Sequence, residues 1–450
     1  MPENGILTRD EAQRICERAL SFSKADQALV NLQHGVEGNT RFAVNQMSTS
    51  GDTLNGTLTI TSAFGQKTAA ATTNRYDDES LQRVVETSER LARLVPDDRE
   101  YMGELGAQQY PESNGFFEST AELAPEARAR AIAAVTEPAA RAGLVSTGFL
   151  IHSADCSAVA TSKGLFAYTR STRVNFTTTV RTADGTGSGW AGTGVHDWDD
   201  LDTAALGARA IEKAEMSRDA RAVEPGRWTV ILEPTAVGNL VGLMLNSLNA
   251  RSADEGRSFF SKAGGGNKIG EQFIDSRVTI HSDPGDPRLF SAPFNGGGLP
   301  NRRTVWVENG VLKNLVYDRY WAAQKQMDPT GFVNGYYMTG GNASMDEMIR
   351  STERGLLVTR FWYIRGVDPR TILFTGLTRD GTFLIENGRI SHPVKNLRYN
   401  ESPIFMLNNV EMMGEPVRVS SSESGGLAPA VWVPPIKARD FTFTSLSDAV

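Results

Sequence analysis

The N-terminal part of the chain alternates between helical and strand-like spacing of apolar positions. Thr8, followed three residues later by Glu11, is typical of a helical capping box, and apolar residues then recur at helical spacing up to Ser23. A second helix is predicted to open at Asp77 and to end before Pro96. This order of elements predicts an α+β unit. Between the helices, the pattern predicts three strands, at Gln27–Gly35, Thr40–Ser48 and Gly56–Phe64.

The middle of the chain repeats this mixture of elements. Residues 97–117 are polar and predict an extended connector. Helical spacing returns at Pro125–Ala142 and at Leu201–Met216, and the glycine-rich stretch Asp184–Gly194 predicts a loop. Four short strands are predicted between the two helices, at Gly148–Asp155, Val159–Thr161, Leu165–Ser171 and Arg173–Thr182.

After Gly226 the pattern becomes rich in strands. Trp228–Leu232 predicts a buried strand and Ala236–Leu248 predicts a helix. Two Glu-Asn-Gly turns, which begin at Glu308 and Glu386, separate apolar runs. Asn-Gly at such a position is typical of a β-hairpin, because both residues tolerate positive φ. The other predicted strands are Val278–His281, Thr304–Glu308, Val311–Tyr317, Leu356–Tyr363, Ile372–Leu377, Gly381–Glu386 and Arg389–Ser391.

These patterns together predict an α+β protein. An N-terminal domain of mixed helices and strands precedes a strand-rich, mostly antiparallel C-terminal domain. The chain has 450 residues, which exceeds the length that a single hydrophobic core normally serves. We therefore predict domain boundaries that give residues 1–110, a middle segment 111–226 and residues 227–450.

Composition narrows the possible functions. The net charge of −7 argues against broad binding to nucleic acid or to an anionic membrane surface. The chain has no basic, apolar leader at its start and no uninterrupted apolar run long enough to span a bilayer. We therefore expect a soluble cytoplasmic protein. The two cysteines, Cys16 and Cys156, fit small buried apolar residues better than reactive thiols.

The residue patterns alone indicate no self-sufficient catalytic site. Neither HExxH nor HExxxH occurs, so the helix-borne histidine pair of a zinc peptidase is missing. Gly-x-Ser-x-Gly is also absent, and the clusters Gly264–Gly266 and Gly296–Gly298 fit neither a P-loop nor a dinucleotide fingerprint. The five histidines are scattered, at His34, His152, His196, His281 and His392.

The C-terminal half carries an ordered series of segments that are informative together. They are Ser252–Phe259, Phe290–Arg303, Val307–Leu312, Arg379–Gly381 and Ile385–Gly388. The N-terminal half adds weaker matches at Arg41–Asn45 and Thr161–Gly164. In this order they resemble the TldD/PmbA (TldD/TldE) family over nearly the whole chain.

The resemblance implies a metallopeptidase that acts on small, unfolded peptides inside a closed chamber. Members of the TldD type carry HExxxH, in which two histidines bind zinc and the glutamate is the general base, and a cysteine near the C-terminus is a further ligand. Members of the TldE/PmbA type share the fold, lack the zinc motif and pair with TldD as a heterodimer.

The segment that aligns with HExxxH begins at Pro234. Ala236–Gly238 matches the core of the motif, but Pro234 and Asn239 replace the two histidines and Thr235 replaces the glutamate. Proline is no ligand, an amide oxygen is a poor zinc donor beside imidazole, and threonine cannot act as the general base. The adjacent Glu233 is expected to point elsewhere, since neighbouring helical positions differ by about 100°.

We therefore expect no catalytic residue, no metal and no cofactor in this chain, with zinc on a TldD-type partner. The stretch Val419–Val431, where the cysteine ligand of the family would stand, contains no cysteine. Two alternatives stay open: a peptide-binding or scaffold protein of the same fold that forms homodimers, and an enzyme of another class. The candidate contacts to a peptide substrate are two loop glycines and an arginine pair, namely Gly265, Gly297, Arg302 and Arg303.

Overall fold

The computed structural model describes residues 5–289, 291–331, 335–419, 427 and 431–447. Phe290, in one of the family-like segments, and most of Val419–Val431 therefore lie outside the described residues. The helices are α1 (Arg9–Phe22), α2 (Asp78–Leu94), α3 (Glu118–Ala121), α4 (Pro125–Arg141), α5 (Thr203–Met216), α6 (Pro234–Leu245), α7 (Ala250–Asp254), α8 (Arg319–Lys325), α9 (Met345–Arg350) and α10 (Pro403–Asn408).

The strands form three sheets whose neighbours are mostly antiparallel, which confirms the predicted α+β class. They are β1 (Gln27–Ala43), β2 (Gln46–Phe64), β3 (Lys67–Thr73), β4 (Leu144–Thr161), β5 (Phe166–Thr182), β6 (Ser188–Val195), β7 (Gly226–Leu232), β8 (Ile280–Ser282), β9 (Thr304–Glu308), β10 (Val311–Leu312), β11 (Tyr336–Met338), β12 (Arg354–Asp368), β13 (Leu373–Glu386), β14 (Arg389–Pro393), β15 (Leu397–Glu401), β16 (Val410–Met413), β17 (Val417–Val419), β18 (Val431–Val433) and β19 (Ile436–Leu446).

The first sheet contains β1 to β6 in the order β3-β2-β1-β4-β5-β6. Helices α1 and α2 cover one half of it and α4 and α5 cover the other, so each half has its own apolar cluster. The predicted capping box of α1 is confirmed, because the Thr8 side chain accepts from Glu11 N and the Glu11 carboxylate accepts from Thr8 N. This sheet contains strands that precede residue 110 and strands that follow it. The domain boundaries given above stay a prediction.

The strands of the first sheet are longer than the sequence pattern predicts. β1 runs without interruption to Ala43, and the chain reverses at Val44 and Asn45, whose φ angles are 51° and 59°. The predicted strand Thr40–Ser48 is therefore wrong at this turn, because its last residues belong to β2. β4 and β5 likewise each join two predicted strands. Gly38 lies inside β1, where a Cβ would stand 2.3 Å from Arg128 Nη1. Glycine there permits close packing and does not end the strand.

The predicted glycine-rich loop Asp184–Gly194 is wrong over most of its length. Its second half is β6, the edge strand of the first sheet, which α5 crosses at short range. A Cβ on Gly187 would lie 2.3 Å from Ala214 O, and one on Gly189 would lie 2.2 Å from Ala210 O. The glycines therefore allow a helix to approach a strand.

The C-terminal strands build the other two sheets. β12 pairs with both β7 and β13, so β12, β7, β19, β15 and β13 close into a ring, from which β14 and β16 extend. The other C-terminal strands form the second sheet, in the order β10-β9-β8-β11-β18-β17. One large apolar core joins them and includes the fully buried Trp306, Phe361 and Phe441. α6 lies inside this core, between the ring and the second sheet.

Both Asn-Gly hairpins are confirmed. Asn309 and Gly310 connect β9 to β10 with φ angles of 50° and 76°, and Asn387 and Gly388 connect β13 to β14 with φ angles of 48° and 74°. Two consecutive residues with positive φ match the right-handed twist of the flanking strands.

Gly310→Ala is expected to lower the free energy of unfolding by about 1–3 kcal/mol. Alanine disfavours positive φ, and its Cβ would stand 2.3 Å from Ile274 O. Urea titration measures the loss. Gly51→Ala is the matched control, because a Cβ there meets nothing within 4 Å. Equal stability of the two variants would contradict the hairpin geometry.

Cys16 and Cys156 are both buried, in the apolar cluster beneath α1. Burial raises the pKa of Cys16 to about 12 and that of Cys156 to about 11, so both remain thiols near neutral pH. In the described parts of the chain, no helix is long and apolar enough to cross a membrane.

Candidate functional site

Helix α6 follows directly from β7 and is the element that aligns with the zinc helix. Pro234 occupies the first helical position, where its missing N–H breaks no hydrogen bond. The next turn packs against the second sheet, since a Cβ on Gly238 would lie 3.0 Å from Val419 Cγ2. Tyr336 donates its hydroxyl proton to Gly238 O at 3.2 Å. The segment Ala236–Gly238 therefore packs α6 against the second sheet.

The three aligned positions of α6 carry no group suited to zinc. Pro234 and Thr235 are half-buried, and Asn239 is 7% exposed. Thr235 and Asn239 are four residues apart, so they share one face of the helix. The sequence of α6, PTAVGNLVGLML, contains no histidine, cysteine or charged residue. This face can donate and accept hydrogen bonds, but it offers neither imidazole nor carboxylate to a metal-bound water.

Glu233, the carboxylate closest to the aligned segment, is engaged elsewhere. Its side chain accepts from Lys213 Nζ at 2.6 Å, and both side chains are largely shielded from solvent. Lys213 belongs to α5, so this ion pair ties the start of α6 to the first sheet. The pair is a contact between α5 and the residue that precedes α6.

Three cavities border α6, the start of β6 and the loop that contains Gly297. One of about 230 Å³ borders α6 and is lined in part by Asn239, Asn246 and Arg365. A second, of about 390 Å³, lies between the start of β6 and the C-terminal ring, beside Asp380. The third, of about 430 Å³, lies between the connector after α2 and the C-terminal half and includes Gly297.

The four candidate substrate contacts have different local surroundings. Gly297 borders the third cavity, where its N–H donates to Asn295 Oδ1 at 3.0 Å. Gly265 is exposed in a tight loop with φ of 108°. Arg302 and Arg303 are exposed, and Arg303 lies 3.6 Å from Asp283 Oδ2. Their role in binding a peptide stays a prediction.

The histidines have separate environments. His152 contacts Arg128, His196 hydrogen-bonds to Thr172 O at 2.6 Å, and His34 and His281 lie beside tyrosine rings. Among the described residues, no three His, Cys, Asp or Glu side chains are grouped so that they could hold a metal ion. The donor chemistry of α6 thus does not fit the zinc ion of the family.

Comparison with known proteins assigns the fold and the family. Residues 225–445 match the PmbA/TldA metallopeptidase C-terminal domain, and residues 115–218 match the central domain of the same proteins. The chain belongs to the TldD/PmbA family of metallopeptidases. TldE from Thermococcus kodakarensis has the same fold, with a TM-score of 0.84 and 17% identity over 96% of this chain and 100% of that chain.

Curated relatives of this TldD/PmbA member match over shorter stretches. A metalloprotease of Methanothermobacter thermautotrophicus is 27% identical over 62% of this chain and 64% of its own length. The zinc metalloprotease TldD homolog of Saccharolobus solfataricus is 24% identical over 44% and 46%, respectively. Metalloprotease PmbA of Escherichia coli O157:H7 is 25% identical over 35% of each chain. The matches thus span less than two thirds of these relatives.

One polar cluster of the family-like segments was not predicted from sequence. Asp380 is 4% exposed and accepts from Arg360 Nε at 2.9 Å and from Ser188 Oγ at 2.6 Å. The Arg360 guanidinium also lies 4.7 Å from the Trp190 ring and 5.0 Å from the Trp362 ring. Ser188 and Trp190 belong to β6, so the cluster joins the first sheet to the C-terminal ring. The Arg379–Gly381 motif was the signal that could have located it.

Proposed function

We propose that this chain is the non-catalytic subunit of a heterodimeric zinc metallopeptidase that processes small, unfolded peptides. The observation that carries the proposal is the chemistry of α6, which holds Pro234, Thr235 and Asn239 where the sequence resemblance expects the two zinc histidines and the general base. All three substitutions remove a group that the reaction needs, so the zinc chemistry is assigned to a TldD-type partner.

In this proposal the chain completes the chamber and holds the substrate by its backbone. Main-chain hydrogen bonds can hold an extended peptide of any sequence by strand addition. The first sheet offers a suitable edge: β2 pairs with β3 only over Leu58–Phe64, and Gln46–Asn55 is exposed along its whole length. An edge of this length without lysine or proline can accept a further strand.

Co-expression with a TldD-type chain that carries HExxxH tests the proposal. The two chains are expected to co-purify, and the complex is expected to hold zinc and cleave short peptides. The present chain, purified alone, is expected to hold no stoichiometric zinc and to cleave none. If the chains do not associate and the partner alone is equally active, the subunit role is wrong and a homodimeric peptide-binding or scaffold role takes its place.

Thr235→Ala in the complex separates a supporting chain from a catalytic one. Loss of a general base typically lowers the rate by about 10²–10⁴-fold. We expect Thr235→Ala to change kcat/KM by less than about twofold, because a threonine hydroxyl is no such base. Replacing the HExxxH glutamate of the partner is expected to abolish activity. A hundredfold loss from Thr235→Ala would place chemistry on α6 and contradict the assignment.

A further inference from the structure

The cavity beside α6 has a floor of small and amide-bearing residues. Gly238 and Gly242 are one helical turn apart and border a space of about 230 Å³. Asn239 and Asn246 border the same space, so two carboxamides line it. Its far wall comes from β12, through Ile364 and Arg365.

A bulge in β12 directs Arg365 to this cavity. The pairing with β13 shifts by one residue between Trp362 and Arg365, and Tyr363 has a φ of 52°. An aromatic residue in the left-handed region costs on the order of 1–3 kcal/mol, and such strain collects at functional sites. Bulges commonly redirect a side chain. The exposed Arg365 lies with its guanidinium 4.1 Å from the Tyr363 ring and donates from Nη1 to Ile364 O at 2.7 Å, and it borders the cavity.

The charge of the lining favours an anion. Among the described residues that border the cavity, Arg365 is charged and none is acidic. The nearby C-terminal end of α6 carries a partial charge of only about −0.5, which the full charge of the guanidinium outweighs. A guanidinium presents a fork of N–H donors that matches the two oxygens of a carboxylate, and the carboxamide N–H groups can add to it.

We propose that this cavity binds a carboxylate group of a peptide, so that the helix that lacks the zinc ligands has become an anchor for one end of the substrate. The inference rests on the proposed function, because it takes a peptide as the ligand. A free C-terminus and an acidic side chain share this chemistry, and the experiment distinguishes them.

Binding of three short peptides to the purified full chain tests the inference by isothermal titration calorimetry. The probes are acetyl-trialanine with a free C-terminus, the same peptide with a C-terminal amide, and an amidated peptide with a central glutamate. The free acid is expected to bind about tenfold more tightly than the neutral amide. Tight binding of the glutamate peptide would assign the cavity to acidic side chains as well. Equal binding of the acid and the neutral amide would overturn the inference.

Arg365→Gln is expected to weaken binding of the free acid about tenfold, and Arg365→Lys is expected to restore it only in part, because lysine keeps the charge and loses the fork. Arg370→Gln is the matched control. Arg370 is an exposed arginine in the turn between β12 and β13, and it does not line the cavity. Unchanged binding in Arg365→Gln would refute the site. Co-purification with the partner is scored separately, so loss of the carboxylate site alone would leave the subunit role intact.

Discussion

Asp380→Asn is expected to lower the free energy of unfolding by about 3–5 kcal/mol, because it removes the buried carboxylate that pairs with the Arg360 guanidinium. Both residues are at most 5% exposed. Asparagine tolerates the φ of 54° at this position almost as well as aspartate, so the substitution tests the charge and leaves the backbone unstrained. Urea titration followed by tryptophan fluorescence measures the loss, since Trp190 and Trp362 flank Arg360.

A double-mutant cycle isolates the pair. Arg360→Met removes the charge and also the stacking on the two tryptophans, so it is expected to be destabilising by itself. The double variant Arg360→Met with Asp380→Asn is expected to be more stable than the sum of the single losses, because neither buried charge is then left alone. Glu79→Gln, which breaks an exposed ion pair to Arg83 within α2, is the control and is expected to cost under about 0.5 kcal/mol. Additive losses in the cycle would contradict the coupling.

The ion pair between Arg360 and Asp380 could not be predicted from local sequence patterns. Signals that act over a few residues were interpreted correctly: the capping box at Thr8 and Glu11, and the turns at Asn309 and Asn387, depend on local hydrogen bonds and on φ. Arg360 and Asp380 form a contact between neighbouring strands, and their link to Ser188 bridges 192 positions in the chain. Such a contact depends on how the sheets pack, which local patterns do not encode.

Several glycines that the sequence pattern assigns to loops lie in strands. The pattern interprets clustered glycine as a loop, yet Gly38, Gly187 and Gly189 lie in strands where a neighbouring group stands too close for a Cβ. Sequence alone cannot distinguish a glycine needed for its backbone freedom from one needed for its small size. The result was a predicted break after Gly35 inside β1 and a predicted loop in place of β6.

The candidate site also has one feature that the sequence predicts and one that depends on the fold. The loss of imidazole and carboxylate from Pro234, Thr235 and Asn239 can be inferred from the aligned segment, because it depends only on residue type. The cavity beside α6 cannot, because Arg365 reaches it through a bulge at Tyr363 on a strand far away in sequence. The absence of histidine and carboxylate from α6 is therefore visible in the sequence, while the cavity beside the helix becomes visible only in the fold.

Acidification from about pH 7.5 to about pH 5 is expected to lower the free energy of unfolding by about 2 kcal/mol for each of two buried histidines. Burial, reinforced by Arg128, lowers the pKa of His152 from 6.5 to about 4. Burial also lowers the pKa of His196 to about 4, against the hydrogen bond to Thr172 O, with Arg418 and Arg173 adding to the decrease. Both side chains are 4% exposed, so solvent screens them little.

The sign follows from the protons bound. A histidine whose folded pKa lies below its unfolded value of about 6.5 binds fewer protons in the folded state, so its full contribution to stability is present above that pH. The contribution is lost as the pH falls towards 4. At His152 the geometry gives the reason: Arg128 Nη1 lies 2.8 Å from Nε2, so the ring must accept that hydrogen bond as a neutral group. A proton on Nε2 would break the bond and place two cations together.

Glutamine variants separate this effect from general acid sensitivity. His152→Gln keeps an acceptor for Arg128 and cannot titrate, so the stability difference between the two pH values is expected to shrink by about 2 kcal/mol, whatever the variant does to absolute stability. His196→Gln is expected to do the same independently, because the two sites have different neighbours. His392→Gln, at a half-buried position near the end of β14, is the control. Keeping the measurement at or above about pH 5 limits the contribution of ordinary carboxylates, which titrate mostly below that pH. A pH dependence that persists unchanged in both buried variants would show that the folded protein accommodates protonated rings at His152 and His196.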